Sequence, residues 1–127
     1  MGEYLLRARW EKPGAKVESA GIAALVNYPA EEDAMTVMED QGIDMSGHRA
    51  RQLTPRMASG FDLILGMEPM HIEWINRRMP TARGRVHLMG KWLNEEAVPD
   101  PYRQGLPAFA ACYELLNEAV DSWLQKI

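Results

Sequence analysis

A parallel α/β sheet with helices on both faces is the fold class this sequence predicts, and three observations carry it. Segments of strand character alternate with segments of helical period. The apolar run "FDLILGM" is continuous, as in a strand covered on both faces, and a long amphipathic helix occupies the last part of the chain. With 127 residues, 46% of them hydrophobic, residues 1–127 are expected to form one globular domain and are too few for two.

Taken in order, "EYLLRARW" is amphipathic and helical from the first residues, and "EKPGA" ends it. "KVESA" is predicted as a strand, with turn chemistry at Gly21. In "YPAEEDAMTVMEDQG", Pro29 takes a first helical position and three acids fill the first turn. Ala30, Ala34, Val37 and Met38 recur at helical spacing, and Gly42 closes the end. "LTPRMASG" reads as a cap at Thr54, Pro55 at the first position and one or two turns of helix. "FDLILGM" is a buried strand, "EPMHIEWINRRM" a helix and "RVHLMG" a strand. From Leu106 to Gln125, the residues Phe109, Tyr113, Leu116, Val120, Trp123 and Leu124 trace one face of a long helix. Three strands are few for such a sheet, which usually has about four or more, so it is expected to be one strand short.

Composition removes several classes of function. A net charge of −4 leaves no basic footprint for nucleic acid. The single cysteine, Cys112, and three scattered histidines, His48, His71 and His87, offer neither a disulfide framework nor metal-ligand spacing. A reducing, cytoplasmic setting and no structural metal are expected. "MGEYLLRARW" has no uninterrupted apolar run, and Leu6 stands where a myristoylation signal needs Ser or Thr, so no membrane attachment is expected.

The candidate chemical groups each have a plain explanation. In "VPDPYRQG", Asp100 lies between Pro99 and Pro101. The fixed backbone suits a rigid turn, the commoner use of such residues, and equally a carboxyl that presents a proton to a substrate. Cys112 has neither a helix N-terminus nor a basic neighbour in sequence and reads as a small packed side chain. His48, in "SGHRARQ", reads as a residue tying a loop together, with a general base as the alternative. His71 and His87 are lone residues given no role, and the nine methionines fill the core. Neither G-x-G-x-x-G nor G-x-x-x-x-G-K occurs.

Four ordered stretches, "KVESAGIAALV", "GIDMSGHRARQLT", "FDLILGM" and "VPDPYR", resemble the low molecular weight protein tyrosine phosphatases, particularly the bacterial type tied to exopolysaccharide production. The resemblance runs over nearly the whole chain. It implies that Asp100 is the general acid that protonates the leaving phenolate and then helps activate the hydrolytic water. It also implies that Tyr102 and Leu25 line the slot for a flat phosphotyrosyl ring, with Arg103 where vertebrate members carry a second tyrosine. Ser19 and His48 would brace the phosphate loop. No cofactor or metal is implied, because that loop supplies the charge stabilisation. The implied partners are a phosphotyrosine protein and, among these, a bacterial tyrosine kinase.

Members of this family begin with a buried strand running into C-x-x-x-x-x-R-S at a helix N-terminus, where the cysteine attacks phosphorus. "MGEYLLR" matches the helix after that loop, so the strand and loop, about fifteen residues, are expected to be missing here. The expectation is a shortened chain, inactive as given, from a misplaced start, a truncated gene or deliberate shortening. A non-catalytic relative that binds a phosphotyrosine protein or a kinase is the alternative. An arsenate reductase needs several redox cysteines and is disfavoured by the lone Cys112. The missing strand should leave the chain loosely folded, force its sheet to rearrange, or invite a segment of another copy into the vacant slot as a homo-oligomer.

Overall fold

The computed structural model describes residues 1–127, and its longest element, α5 (Leu106–Leu124), organises most of the core. Its inner face carries Phe109, Cys112, Tyr113, Leu116, Ala119, Val120 and Trp123, a spacing of three and four residues that keeps one stripe turned inward. Against it pack α1 (Gly2–Arg9) and α2 (Glu32–Glu39), which contribute the fully enclosed Leu5 and Met38. Full burial of such a side chain stabilises by about 1.5–3 kcal/mol. Two polar ties fix the helices in place: Arg9 donates to the Asn117 carbonyl at 3.2 Å and to Asp121 at 2.9 Å, and the Trp123 indole donates to the Met89 carbonyl at 2.8 Å.

The sheet has two parallel strands, β1 (Ile64–Gly66) and β2 (Val86–Leu88), in the register Ile64↔Val86, Leu65↔His87, Gly66↔Leu88. Between them run α4 (Pro69–Arg78) and a 3-10 turn, Pro80–Ala82. Side chains alternate across β1 with the period of a strand. Leu63, Leu65 and Met67 pack on the α1, α2 and α5 side, whereas Ile64 joins Ala58, Ile75, Met79, Ala82 and Val86 on the other. Helices therefore cover both faces, as the α/β expectation requires. α3 (Pro55–Ser59) begins as its sequence predicts, with the Thr54 hydroxyl accepting the Met57 N–H at 3.2 Å and Pro55 in the first turn.

Two predicted elements differ. α2 begins at Glu32 rather than at Pro29. The Asn27 N–H donates to the Ala50 carbonyl and the Ala50 N–H to the Tyr28 carbonyl, both at 2.8 Å. Asn27, at φ 69°, sits in a turn closed by the Tyr28 N–H on the Leu25 carbonyl, and the pairing ties this non-helical segment to Ala50, so the helix starts only after the chain has left it. Gly42 does end it, with φ 76° and the Ile43 N–H closing onto Met38 at 2.9 Å.

"KVESA" does not form a strand. Residues 16–20 make no backbone–backbone hydrogen bond, and the nearest pairing is a single parallel bridge, Gly21↔Gln52. A strand exists only through its ladder, and no strand lies beside this segment. Side chains hold it instead: Arg7 donates to the Val17 carbonyl at 2.8 Å, and the Lys16 ammonium sits 5.3 Å from the Phe61 ring centroid. β1 has a matching free edge. The bonds Ile64 N–H to Arg85 and Gly66 carbonyl to Met89 place its ladder on Ile64 and Gly66, so the N–H and C=O of Leu65 point to the side where no strand pairs. Leu63, Leu65 and Met67 stay only half-buried, and 22 of 127 residues are buried in all, a small core for this length. No helix is long and apolar enough to cross a membrane.

Candidate active site

The Asp100 loop leaves the sheet just beyond β1. The Val98 N–H donates to the Met67 carbonyl at 2.7 Å, and the chain then enters Pro99, Asp100 and Pro101. One carboxylate oxygen of Asp100 accepts the Tyr102 N–H at 3.0 Å, and its carbonyl accepts the Gln104 side-chain amide at 2.9 Å. Arg103 adopts φ 61° with its guanidinium 5.1 Å from the Tyr102 ring centroid, and Gly105, at φ 88°, leads into α5. The side chains of Asp100 and Tyr102 both reach solvent. The turn occupies one carboxylate oxygen and leaves the second with no hydrogen-bond partner, so the carboxyl is fixed and accessible together.

Ser19 and His48 come together on a residue that sequence reasoning missed. Glu3, in the first turn of α1, has a side chain only 5% exposed. It accepts the Ser19 hydroxyl at 2.5 Å and pairs with the Arg7 guanidinium. The His48 Nδ1 stands 3.9 Å from the same carboxylate, too long for a hydrogen bond but close for charge, and its ring meets Tyr4 edge-on at 5.7 Å. Burial pushes the His48 imidazole below its ordinary pKa, the Glu3 charge opposes that, and the Met1 amino group, Arg51 and Arg49 add to the depression. In sequence, Glu3 followed by Arg7 looks like an ordinary surface pair one helical turn apart, which is why nothing marked it.

Leu25 stands on the 21–28 loop, which is sewn to residues 50–53 by main-chain bonds: Gly21 N–H to Arg51, Leu53 N–H to Gly21, and the Asn27–Ala50–Tyr28 pairing. The loop displays Leu25, Val26 and Tyr28 to solvent, each more than half exposed. No hydrogen bond joins this loop or the Glu3 cluster to the Asp100 turn.

Cys112 lies in the α5 core stripe, where burial, with a smaller contribution from the Asp100 charge, pushes its thiol above the usual range. It stays a protonated packing group at neutral pH. His71, to which the sequence assigns no role, has one: its Nδ1 accepts the N–H groups of Met67 and Glu68 at 3.2 and 3.1 Å, capping α4 and fixing the end of β1. The signal was its place two residues after Pro69, at the third helical position. No group of three or more His, Cys, Asp or Glu side chains has metal-binding geometry.

The family model described as low molecular weight phosphotyrosine protein phosphatase matches residues 1–127. The chain is 42% identical to the low molecular weight protein-tyrosine-phosphatase Etp of Escherichia coli K12, over 100% of this chain and 84% of Etp. It is 44% identical to Wzb of the same organism over 115 residues, 91% of this chain and 78% of Wzb. Among solved structures, the tyrosine phosphatase Wzb of Escherichia coli K30 in complex with sulphate superposes with a TM-score of 0.93 at 43% identity, covering 98% of this chain and 86% of that one. Vibrio vulnificus Wzb in complex with benzylphosphonate gives 0.93 at 39%, covering 99% and 88%. The chain belongs to the low molecular weight phosphotyrosine protein phosphatase family.

Proposed function

We propose that these residues carry the general-acid and ring-binding parts of a phosphotyrosine phosphatase, with Asp100 as the acid. The Asp100 turn supports this most directly, since it fixes one carboxylate oxygen on the Tyr102 amide and leaves the other to solvent. In the family's reaction a cysteine thiolate forms an S–P bond as the P–O bond to the phenol breaks, and the acid gives its proton to the departing phenolate. Water then attacks phosphorus, the carboxylate takes the water's proton, and the thiolate leaves as phosphate is released. Leu25 and Tyr102 bound the ring. Ser19 and His48 brace the phosphate loop, and Glu3 orients the serine hydroxyl. The ligand of Vibrio vulnificus Wzb, benzylphosphonate, is an aromatic ring bearing a phosphorus oxyanion, the shape such a slot takes.

The 127 residues contain one cysteine, Cys112, buried in α5 with its thiol held protonated, so this polypeptide by itself turns over no aryl phosphate. The partners are tyrosine-phosphorylated proteins, a bacterial tyrosine kinase among them, met in the cytoplasm. The free edge of β1 accepts a strand from a second copy. The competing reading, a binding relative without catalysis, draws on the exposed Leu25, Val26 and Tyr28. Assaying a small aryl phosphate separates them. The 127-residue protein should be inert, and the same chain joined to a family strand and C-x-x-x-x-x-R loop should be active. In the joined enzyme, Asp100→Asn should slow substrates with poor leaving groups by about a hundred- to ten-thousand-fold and good ones less. Equal losses would leave Asp100 a turn residue only, and an inert joined enzyme would favour the binding relative.

A further inference from the structure

Gln52, half-buried in its bridge with Gly21, turns its side-chain amide into the loop it faces. Its Oε1 accepts the Ala24 N–H at 3.0 Å and its Nε2 donates to the Ile22 carbonyl at 2.8 Å. The pairing fixes which way the amide points, because a flipped group would set donor against donor and acceptor against acceptor. Main-chain bonds pin the loop at Gly21 and again at Asn27 and Tyr28. Between those anchors, Gln52 is the only group outside the loop that hydrogen-bonds to it. Leu25 follows Ala24 directly, and as a residue 54% exposed it has little burial of its own to hold it still.

We propose that Gln52 is a positioning residue for substrate: by clamping residues 22 and 24 it holds the Leu25 wall of the ring slot in place and so sets the affinity for the aryl group. This rests on Leu25 being a slot wall. A loop left free between its anchors visits many conformers, and a ring that binds one of them must bear the cost of selecting it. A residue that merely satisfied two backbone groups would affect folding and leave ring affinity alone.

The test uses the 127-residue protein with p-cresol, a phenol ring without a phosphoryl group, titrated by NMR while the Leu25 methyls and the Ala24 amide are followed. Gln52→Ala should weaken p-cresol by about two- to tenfold and speed exchange of the Ala24 amide. Leu25→Ala should weaken it comparably, and the double variant should be no worse than Leu25→Ala, since Gln52 acts through that side chain. Where Gln52→Ala does not fold, Gln52→Glu keeps the acceptor for Ala24 and sets an oxygen against the Ile22 carbonyl, and the same weakening is expected. No p-cresol binding, or an affinity indifferent to Leu25→Ala, would overturn the slot itself. An affinity that falls with Leu25→Ala but ignores the Gln52 variants, or losses that simply add, would overturn the role given to Gln52 alone.

Discussion

Replacing Glu3 by glutamine removes a charge and keeps a shape, and its consequences can be worked from the contacts. The Glu3 side chain is 5% exposed and accepts the Ser19 hydroxyl at 2.5 Å. A hydrogen bond to a charged group is worth about 1.5–3 kcal/mol net and a neutral one about 0.5–1.5, so Glu3→Gln gives up about 1–1.5 kcal/mol there. The Arg7 side chain is 51% exposed, and its pairing adds at most about 1 kcal/mol. A loss of about 1–2.5 kcal/mol should lower the melting temperature by about 3–12 °C in a chain of this size. The same charge raises the His48 pKa against the burial that depresses it, so Glu3→Gln should move that pKa further below 6.5. A histidine with a depressed folded pKa binds fewer protons folded than unfolded. Its contribution is fully present above 6.5 and is lost as pH falls from 6.5 through the folded value. The variant's deficit should therefore widen as the solution is acidified below 6.5. Urea unfolding at several pH values and an NMR titration of His48 measure both effects. A His48 that titrates at or above its original pKa in the variant, or a deficit that shrinks on acidification, would refute the account of this cluster.

Two further outcomes follow from the backbone. A Cβ added at Gly90 would lie 2.6 Å from the Glu95 carbonyl oxygen, and since that neighbour is main chain, Gly90→Ala should cost about 1–3 kcal/mol. An unchanged urea midpoint would show that the 90–95 loop yields freely. The unpaired edge at Leu65 should accept a parallel strand, so a peptide of strand character should raise the melting temperature, and sedimentation should show self-association in its absence. A monomer that melts cooperatively and ignores the peptide would show the edge to be closed.

What could be read from the sequence was local. Thr54 and Pro55 announce α3 because a cap bonds within its own first turn, and the α5 stripe is visible because its period repeats for five turns. "KVESA" misled because a strand's main-chain bonds go to another strand, and strand propensity says nothing about whether one is there. Pro29 misled because Ala50, far away in sequence, ties Asn27 and Tyr28, just before it, into a turn that is not helical. The same division runs through the site. Asp100 and Tyr102 share a hydrogen bond two residues apart, whereas Glu3 acquires its meaning from Ser19 and His48, which only the folded chain brings near.

The placement proposed for the acid also has a physical logic that joins fold to chemistry. Ligands in open α/β sheets bind beyond the carboxyl ends of the strands, and here Met67, the first residue past β1, anchors both flanks of that region. Its carbonyl takes the Val98 N–H and so holds the Asp100 loop, while its own N–H is bound by His71 at the start of α4. A shift at Met67 would therefore move the carboxyl and the helix together. Within the loop, the two readings that "VPDPYRQG" allowed are not rivals. A general acid must keep its position through a reaction while staying open to substrate, and a solvated carboxylate with no tie loses that position to side-chain rotation. The bond from Tyr102 removes the rotation by engaging one oxygen, and the other stays available for the proton. In the proposed role of Asp100 the rigid turn is thus what lets the carboxyl act, and in the joined enzyme a variant that kept the carboxyl but broke the turn should lose rate for poor leaving groups much as Asp100→Asn does.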